Sequence, residues 1–132
     1  MFYPQGYEMC SEQYPQYDGK HLLTELVPCG VADKWYCKSI LFDPNRIVEM
    51  NYVAGAHTCD PLGVVNVGED KELKMLHYKW MGLDEFLDRK HLFAQRRSES
   101  DIQMNLGRHY MRADEEVIQS FNTKLKEAKK VV

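Results

Sequence analysis

No stretch of this 132-residue sequence approaches the ~20 consecutive apolar residues that a membrane-spanning helix needs. Nor is there a large excess of either charge. Lysine and arginine number 17 against 20 acidic residues, and the resulting net charge of −3 argues against a nucleic-acid surface spread over the whole chain. Met1–Gly6 lacks a basic stretch followed by an apolar core, so no secretory leader is expected. Cysteine is sparse: Cys10, Cys29, Cys37 and Cys59 form no C-x-x-C pair and fit no zinc-ribbon spacing. Free cysteines buried as small hydrophobes, in a cytoplasmic protein, are the expectation. The phosphate-binding signatures G-x-x-x-x-G-K-[ST] and G-x-G-x-x-G are missing, as are H-E-x-x-H and G-x-S-x-G.

What is present has the balance of a globular domain, with 44% hydrophobic and 28% charged residues. The pattern predicts a single domain in three stretches. Residues 1–37 are rich in Tyr, Pro, Gly and Gln and predict loops, with one short helix around His21–Leu26. Residues 38–81 predict strands: Lys38–Phe42, stopped by the turn Asp43-Pro44-Asn45, then Ile47–Val53. Val64–Val67 and Leu73–Tyr78 follow as a hairpin around Gly68-Glu69-Asp70-Lys71. Residues 82–132 are helical in period. The last helix is the clearest: Val117, Phe121, Leu125, Ala128 and Val132 share a face. Asp114, Glu115 and Glu116 stand at its start and Lys124, Lys126, Lys129 and Lys130 at its end, as the helix dipole favours.

Three segments hold side chains suited to chemistry. Gly55-Ala56-His57-Thr58-Cys59-Asp60-Pro61 follows a predicted strand, and its small residues let a ligand approach the backbone. A capped turn built by Thr58 or Asp60 explains the same residues without a ligand. His77 and Lys79, in Leu76–Gly82, pair a metal-binding imidazole with a phosphate-binding ammonium. A core histidine beside a solvated lysine is the plainer reading. Gly107-Arg108-His109-Tyr110 reads as a helix end with a packing histidine. Glu69-Asp70, an acidic dyad on paper, reads as a solvated hairpin tip.

The order of these pieces resembles the C-terminal half of family 2-like glycosyltransferases of GT-A fold, the branch related to family 92. The residues that carry the resemblance are Lys38-Ser39-Ile40, Asn51–His57 with its G-x-H turn, His77-Tyr78-Lys79, a helix with Arg89 and Arg96-Arg97-Ser98, and Gly107–Tyr110. The stretch Met1–Glu8 is similar to the one just after that family's central acidic motif. The resemblance implies sugar transfer from a nucleotide-sugar donor to a saccharide or lipid-linked acceptor, with polysaccharide biosynthesis as the setting. It implies a divalent metal, Mn²⁺ or Mg²⁺, in the complete enzyme. His77 matches the position of a downstream metal histidine, and Lys79 would lie near the donor diphosphate. His57, Cys59 and Asp60 would line the acceptor side. The D-x-D motif and the nucleotide-binding half are absent here, so the resemblance implies a fragment, inactive alone. Its catalytic base is unassigned; Asp18 and Glu25 match by rough position only.

Two other classes stay open. One is a non-catalytic carbohydrate- or protein-binding module, using Tyr3, Tyr7, Tyr14, Tyr17, Trp35 and Tyr36 to stack on sugar rings or cover a partner. The other is a small metal-site protein built on His57, Cys59 and His77. The expected fold is α+β: a short mixed or mainly antiparallel sheet followed by two or three C-terminal helices, like the C-terminal part of a GT-A domain. An uncovered sheet would favour homo-oligomers. The expected partners are a nucleotide sugar and a saccharide rather than nucleic acid, in the cytoplasm or at a membrane surface.

Overall fold

The computed structural model describes residues 1–39 and 41–132; the side chains of Ala54, Glu69, Asp70 and Lys71 are also outside the description. The chain is α+β, with a mixed sheet of four strands and its longer helices in the C-terminal part. In chain order the elements are β1 (Phe2–Ser11), α1 (Leu23–Leu26), β2 (Cys29–Ala32), β3 (Ile47–Glu49), β4 (Leu62–Gly63) and β5 (Gly68–Met81). They continue with α2 (Leu83–Gln95), α3 (Glu99–Gln103), α4 (Asp114–Glu127) and β6 (Lys129–Lys130). The sheet order is β5-β1-β2-β6, and β3 pairs with β4 separately. Gly68 donates to the Met1 carbonyl and Gly82 to that of Ser11, so β1 and β5 run parallel. β2 and β6 are antiparallel, with Cys29 opposite Lys130.

Four local expectations change. Residues 1–37 are not mainly loop: β1 occupies ten of them, with Pro4, Gly6, Glu8, Met9 and Cys10 buried. Proline and glycine normally break strands, but Gly6 has a specific reason to be there. A Cβ on it would lie 2.5 Å from the Asp33 carbonyl oxygen and 2.5 Å from the Tyr36 carbonyl carbon. Only glycine lets the 3₁₀ turn Lys34–Tyr36 lie against β1. Gly6→Ala is therefore expected to cost about 1–3 kcal/mol, read from urea unfolding. An unchanged midpoint would mean the turn moves away freely.

The hairpin around Gly68–Lys71 is one continuous strand, β5, so the acidic pair is not at a hairpin tip; the side chains of Glu69 and Asp70 lie outside the described residues. The strand expected over Lys38–Phe42 includes Ile40, which also lies outside them; Leu41 makes an isolated bridge to Phe2. The second strand is shorter than expected, ending at Glu49 before Asn51 takes φ +46°. The last helix stops at Glu127 rather than continuing to Val132. Ala128 leaves helical geometry at ψ 135°, and Lys129–Lys130 pair with β2 instead.

Two compact units are distinguishable, one of residues 1–8 and 31–77 and the other of residues 9–30 and 78–132. In the second, Cys10, Trp80, Phe86, Val117 and Phe121 form the core, with Leu83, Leu87, Leu125 and Ala128 packed on it. Trp80 and Phe86 stack with centroids 4.6 Å apart. The first unit buries Ile47 and Met50 but leaves Val48 and Val64 exposed. The loops of this unit carry the candidate site. Among the described residues no helix is long and apolar enough to cross a membrane.

Candidate functional site

Within the first unit two loops converge on one ring cluster. The first is the 3₁₀ turn Lys34–Tyr36. Asp33 caps it, its carboxylate accepting from the Trp35 amide at 2.9 Å, while the Asp33 amide donates to the Gly6 carbonyl at 2.9 Å. The turn is thus bonded both to its own cap and to β1, and it holds Trp35 outward with 62% of its surface exposed.

The second loop spans Tyr52–Cys59. Tyr52 and Cys59 face each other in an antiparallel bridge, and the Val53 amide donates to the Thr58 carbonyl at 3.1 Å. Between them the chain turns tightly through Gly55 at φ +79° and Ala56 at φ +53°. A non-glycine residue in the left-handed region carries strain, which the bridge closing the loop must hold. Asn51 braces the base of this loop, donating from its side chain to the Asp60 carbonyl at 2.9 Å.

His57 is the side chain this loop delivers. Its Nδ1 lies 2.9 Å from the Trp35 carbonyl oxygen, and its ring packs on the Trp35 indole with centroids 4.5 Å apart and planes tilted by 31°. Tyr36 meets it edge-on at 6.2 Å and stacks on His77 at 4.0 Å. Lys38 links the two loops, donating from Nζ to the Gly55 carbonyl at 2.7 Å, and its ammonium lies 5.9 Å from the Tyr36 ring centroid. Trp35, Tyr36, His57 and His77 therefore form one cluster of contacting rings, with the exposed indole of Trp35 at its edge.

A second cluster in the same unit surrounds Cys59. The Tyr3 hydroxyl is 3.9 Å from Cys59 Sγ, and Tyr52 donates its hydroxyl to the Ser39 carbonyl. Burial pushes the Tyr3 phenol above its usual range, with the bond to Cys59 adding to the rise. Burial also raises Tyr52. Both phenols stay protonated at neutral pH, and that of Tyr52 serves as a donor.

The residues singled out from sequence are thus distributed unevenly. His57 and His77 both meet Tyr36, although twenty positions separate them in the chain. Cys59 Sγ lies 3.9 Å from the Tyr3 hydroxyl. Asp60 is exposed and contributes its backbone carbonyl to Asn51. Lys79 belongs to the second unit, where its ammonium lies 5.5 Å from the Trp80 ring centroid and 6.0 Å from that of Phe86. His109 is in that unit too; burial lowers its pKa, and the nearby Lys79 charge lowers it further. Asp18 is exposed, and bonds from the His21 and Lys20 amides and the His21 ring bring it down to about 2. A carboxyl so acidic and so solvated is a poor general base.

Sequence reasoning named Trp35 and Tyr36 only as members of an aromatic-rich stretch. Lys38 and Gly55, which join the two loops, were not distinguished as site residues. One signal was legible in principle: Asp33 two residues before Trp35 is the pattern of a side-chain-capped turn. Among the described residues no three His, Cys, Asp or Glu side chains are grouped to hold a metal ion. No protein-family model, curated protein or solved structure matches the chain.

Proposed function

We propose that this chain recognises a saccharide on the Trp35 surface, as the acceptor-side portion of a glycosyltransferase. One observation supports it most: a tryptophan 62% exposed, yet fixed from behind by His57, a capped turn and the Lys38 link. An indole held in one place offers its apolar face to the C–H side of a sugar ring at little entropic cost.

The larger reaction rests on the resemblance. Transfer from a nucleotide sugar needs a group that stabilises the departing diphosphate, supplied in that family by a divalent metal. The described residues do not by themselves make a set for that ion. The proposal accordingly gives this chain the acceptor and leaves the donor chemistry to a half carrying the acidic motif. His77 is then a residue stacked beside the acceptor surface. A non-catalytic carbohydrate-binding module would use the same surface. An upstream reading frame with a D-x-D-type motif after an apolar strand favours the transferase over the module.

Isothermal titration with methyl glycosides of the common hexoses and their short oligomers tests the shared step. Trp35→Ala is expected to weaken the best of them by about tenfold, since aromatic stacking contributes about 0.5–1.5 kcal/mol beyond area burial. Equal affinity in the variant would remove Trp35 from the site.

A further inference from the structure

In the second unit, the connection between α2 and α4 is a closed loop. The chain leaves α2 at Gln95, passes through α3 and turns back at Gly107, which takes φ +65°. Arg97 closes the neck, its Nε donating to the Leu106 carbonyl at 2.9 Å. Below the neck the Tyr110 ring lies 5.2 Å from that of Phe93, so the returning chain meets α2 again. Inside the loop the Ser98–Asp101 capping box fixes the start of α3, and the Leu106 amide donates to the Asp101 carbonyl at 2.7 Å. These bonds hold the loop from within.

Its large apolar side chains take little part in that bonding and are left in water. Ile102 is 59% exposed and Met104 62%, both between the two ends of the neck, and Met111 just beyond it is 60% exposed. Singly such residues are ordinary; three within ten positions mark a surface that meets something apolar. The charge around them is positive although the whole chain is acidic: residues 96–112 hold four arginines against Glu99 and Asp101. Asp101 is engaged by the Ser98 amide and hydroxyl, and Arg112 by Glu116. Arg96 and Arg108 are exposed, and neither pairs with another side chain among the described residues.

We propose that the loop of residues 96–112 docks the chain on an anionic bilayer surface, with Ile102 and Met104 entering the interface and Arg96 and Arg108 meeting lipid phosphates. Apolar side chains flanked by guanidinium groups match the two layers such a surface offers, acyl boundary and charged headgroups. Nucleic acid would use the arginines but gain nothing from Ile102 and Met104. The docking is peripheral, since among the described residues no helix is long and apolar enough to span a membrane. The inference is independent of the saccharide reading of Trp35.

Co-sedimentation of the full chain with two kinds of vesicle tests this: phosphatidylcholine alone, and phosphatidylcholine with roughly a third phosphatidylserine. The chain is expected to pellet with the anionic vesicles, less so as salt is raised, and about tenfold less with the neutral ones. Combining Ile102→Asp with Met104→Asp should weaken anionic binding by about tenfold or more. Combining Arg96→Gln with Arg108→Gln should remove the preference for phosphatidylserine. All four side chains are exposed, so neither double variant should move the urea midpoint, which is measured alongside. No binding to anionic vesicles, or equal binding to both kinds, would overturn the proposal. Binding that survives the Ile102 and Met104 changes would also overturn it, showing a polyanion surface rather than an inserted loop.

Discussion

Phe121→Ala should lower the stability of the chain by about 3–5 kcal/mol, the range for removing a buried aromatic ring. Phe121 is 1% exposed and lies on the inner face of α4. Its ring centroid is 5.9 Å from that of Phe86 and 6.2 Å from that of Trp80, while those two stack on each other. Truncation removes contacts with both members of the stack and leaves a void that α4 cannot fill without shifting Val117 and Leu125. Urea unfolding monitored by the buried Trp80 would show an earlier midpoint with an unchanged slope. A loss below about 1 kcal/mol would mean that the core repacks, and that the three rings are less tightly interlocked than their distances imply.

The second large effect concerns the ion pair between α2 and α4. Lys90 is 7% exposed, an unusual place for an ammonium, and its Nζ bonds the Asp114 carboxylate in the first turn of α4. His91 Nε2 reaches the same carboxylate at 3.0 and 3.1 Å. Removing the partner of a buried charge is costly because the charge remains. Asp114→Ala is thus expected to lower the melting temperature by roughly 5–10 °C, less than for a fully buried pair because Asp114 itself meets water. Adding Lys90→Met should restore most of the loss. A double variant no more stable than the single one would show that Lys90 was not the strained partner.

The same pair fixes the sign of an acid effect. Hydrogen bonds from Lys90, then His91, hold the Asp114 carboxyl below its usual value. A carboxyl depressed on folding contributes stability that is complete above its unfolded pKa, near 4, and is lost as pH falls through the folded value. Asp101, lowered by bonds from Ser98, and Asp18 act in the same direction. Melting temperature should therefore decline below about pH 4, and the decline should be shallower in Asp114→Asn. An unchanged acid limb in that variant would assign the effect to the other two carboxyls.

The helices were legible in the sequence because they are amphipathic and carry end signals. Val117, Phe121 and Leu125 face the core at the spacing their period predicts. Ser98 and Asp101 form a capping box where α3 begins, the Asp101 carboxylate accepting from the Ser98 amide at 2.9 Å. The strands were less legible, for reasons particular to them. β1 contains Pro4 and Gly6, which local propensity counts as breakers, whereas the close approach of a 3₁₀ turn requires the glycine. The end of α4 depends on pairing between Lys130 and Cys29, a contact between residues a hundred positions apart. Periodicity carries no trace of such a partner.

The candidate site was half legible. His57 and His77 stood out as chemistry-bearing residues, but local sequence does not say that both meet Tyr36, or that Trp35 supplies the carbonyl bonded to His57. Convergence of that kind is tertiary. Nor does local sequence say which contacts the neighbours His57, Cys59 and Asp60 make. Cys59 is engaged with Tyr3, and Asp60 is exposed.

The central claim is that the Trp35 surface binds sugar, and the protein's two tryptophans provide an internal control. Their indole N–H resonances can be followed separately while methyl hexopyranosides are added to the isotopically labelled chain. Trp35 is exposed and Trp80 is buried. The account predicts a saturable shift of the Trp35 resonance with at least one glycoside, while Trp80 stays in place. A Trp35 resonance that does not move for any glycoside, up to the highest concentration reached, would contradict it.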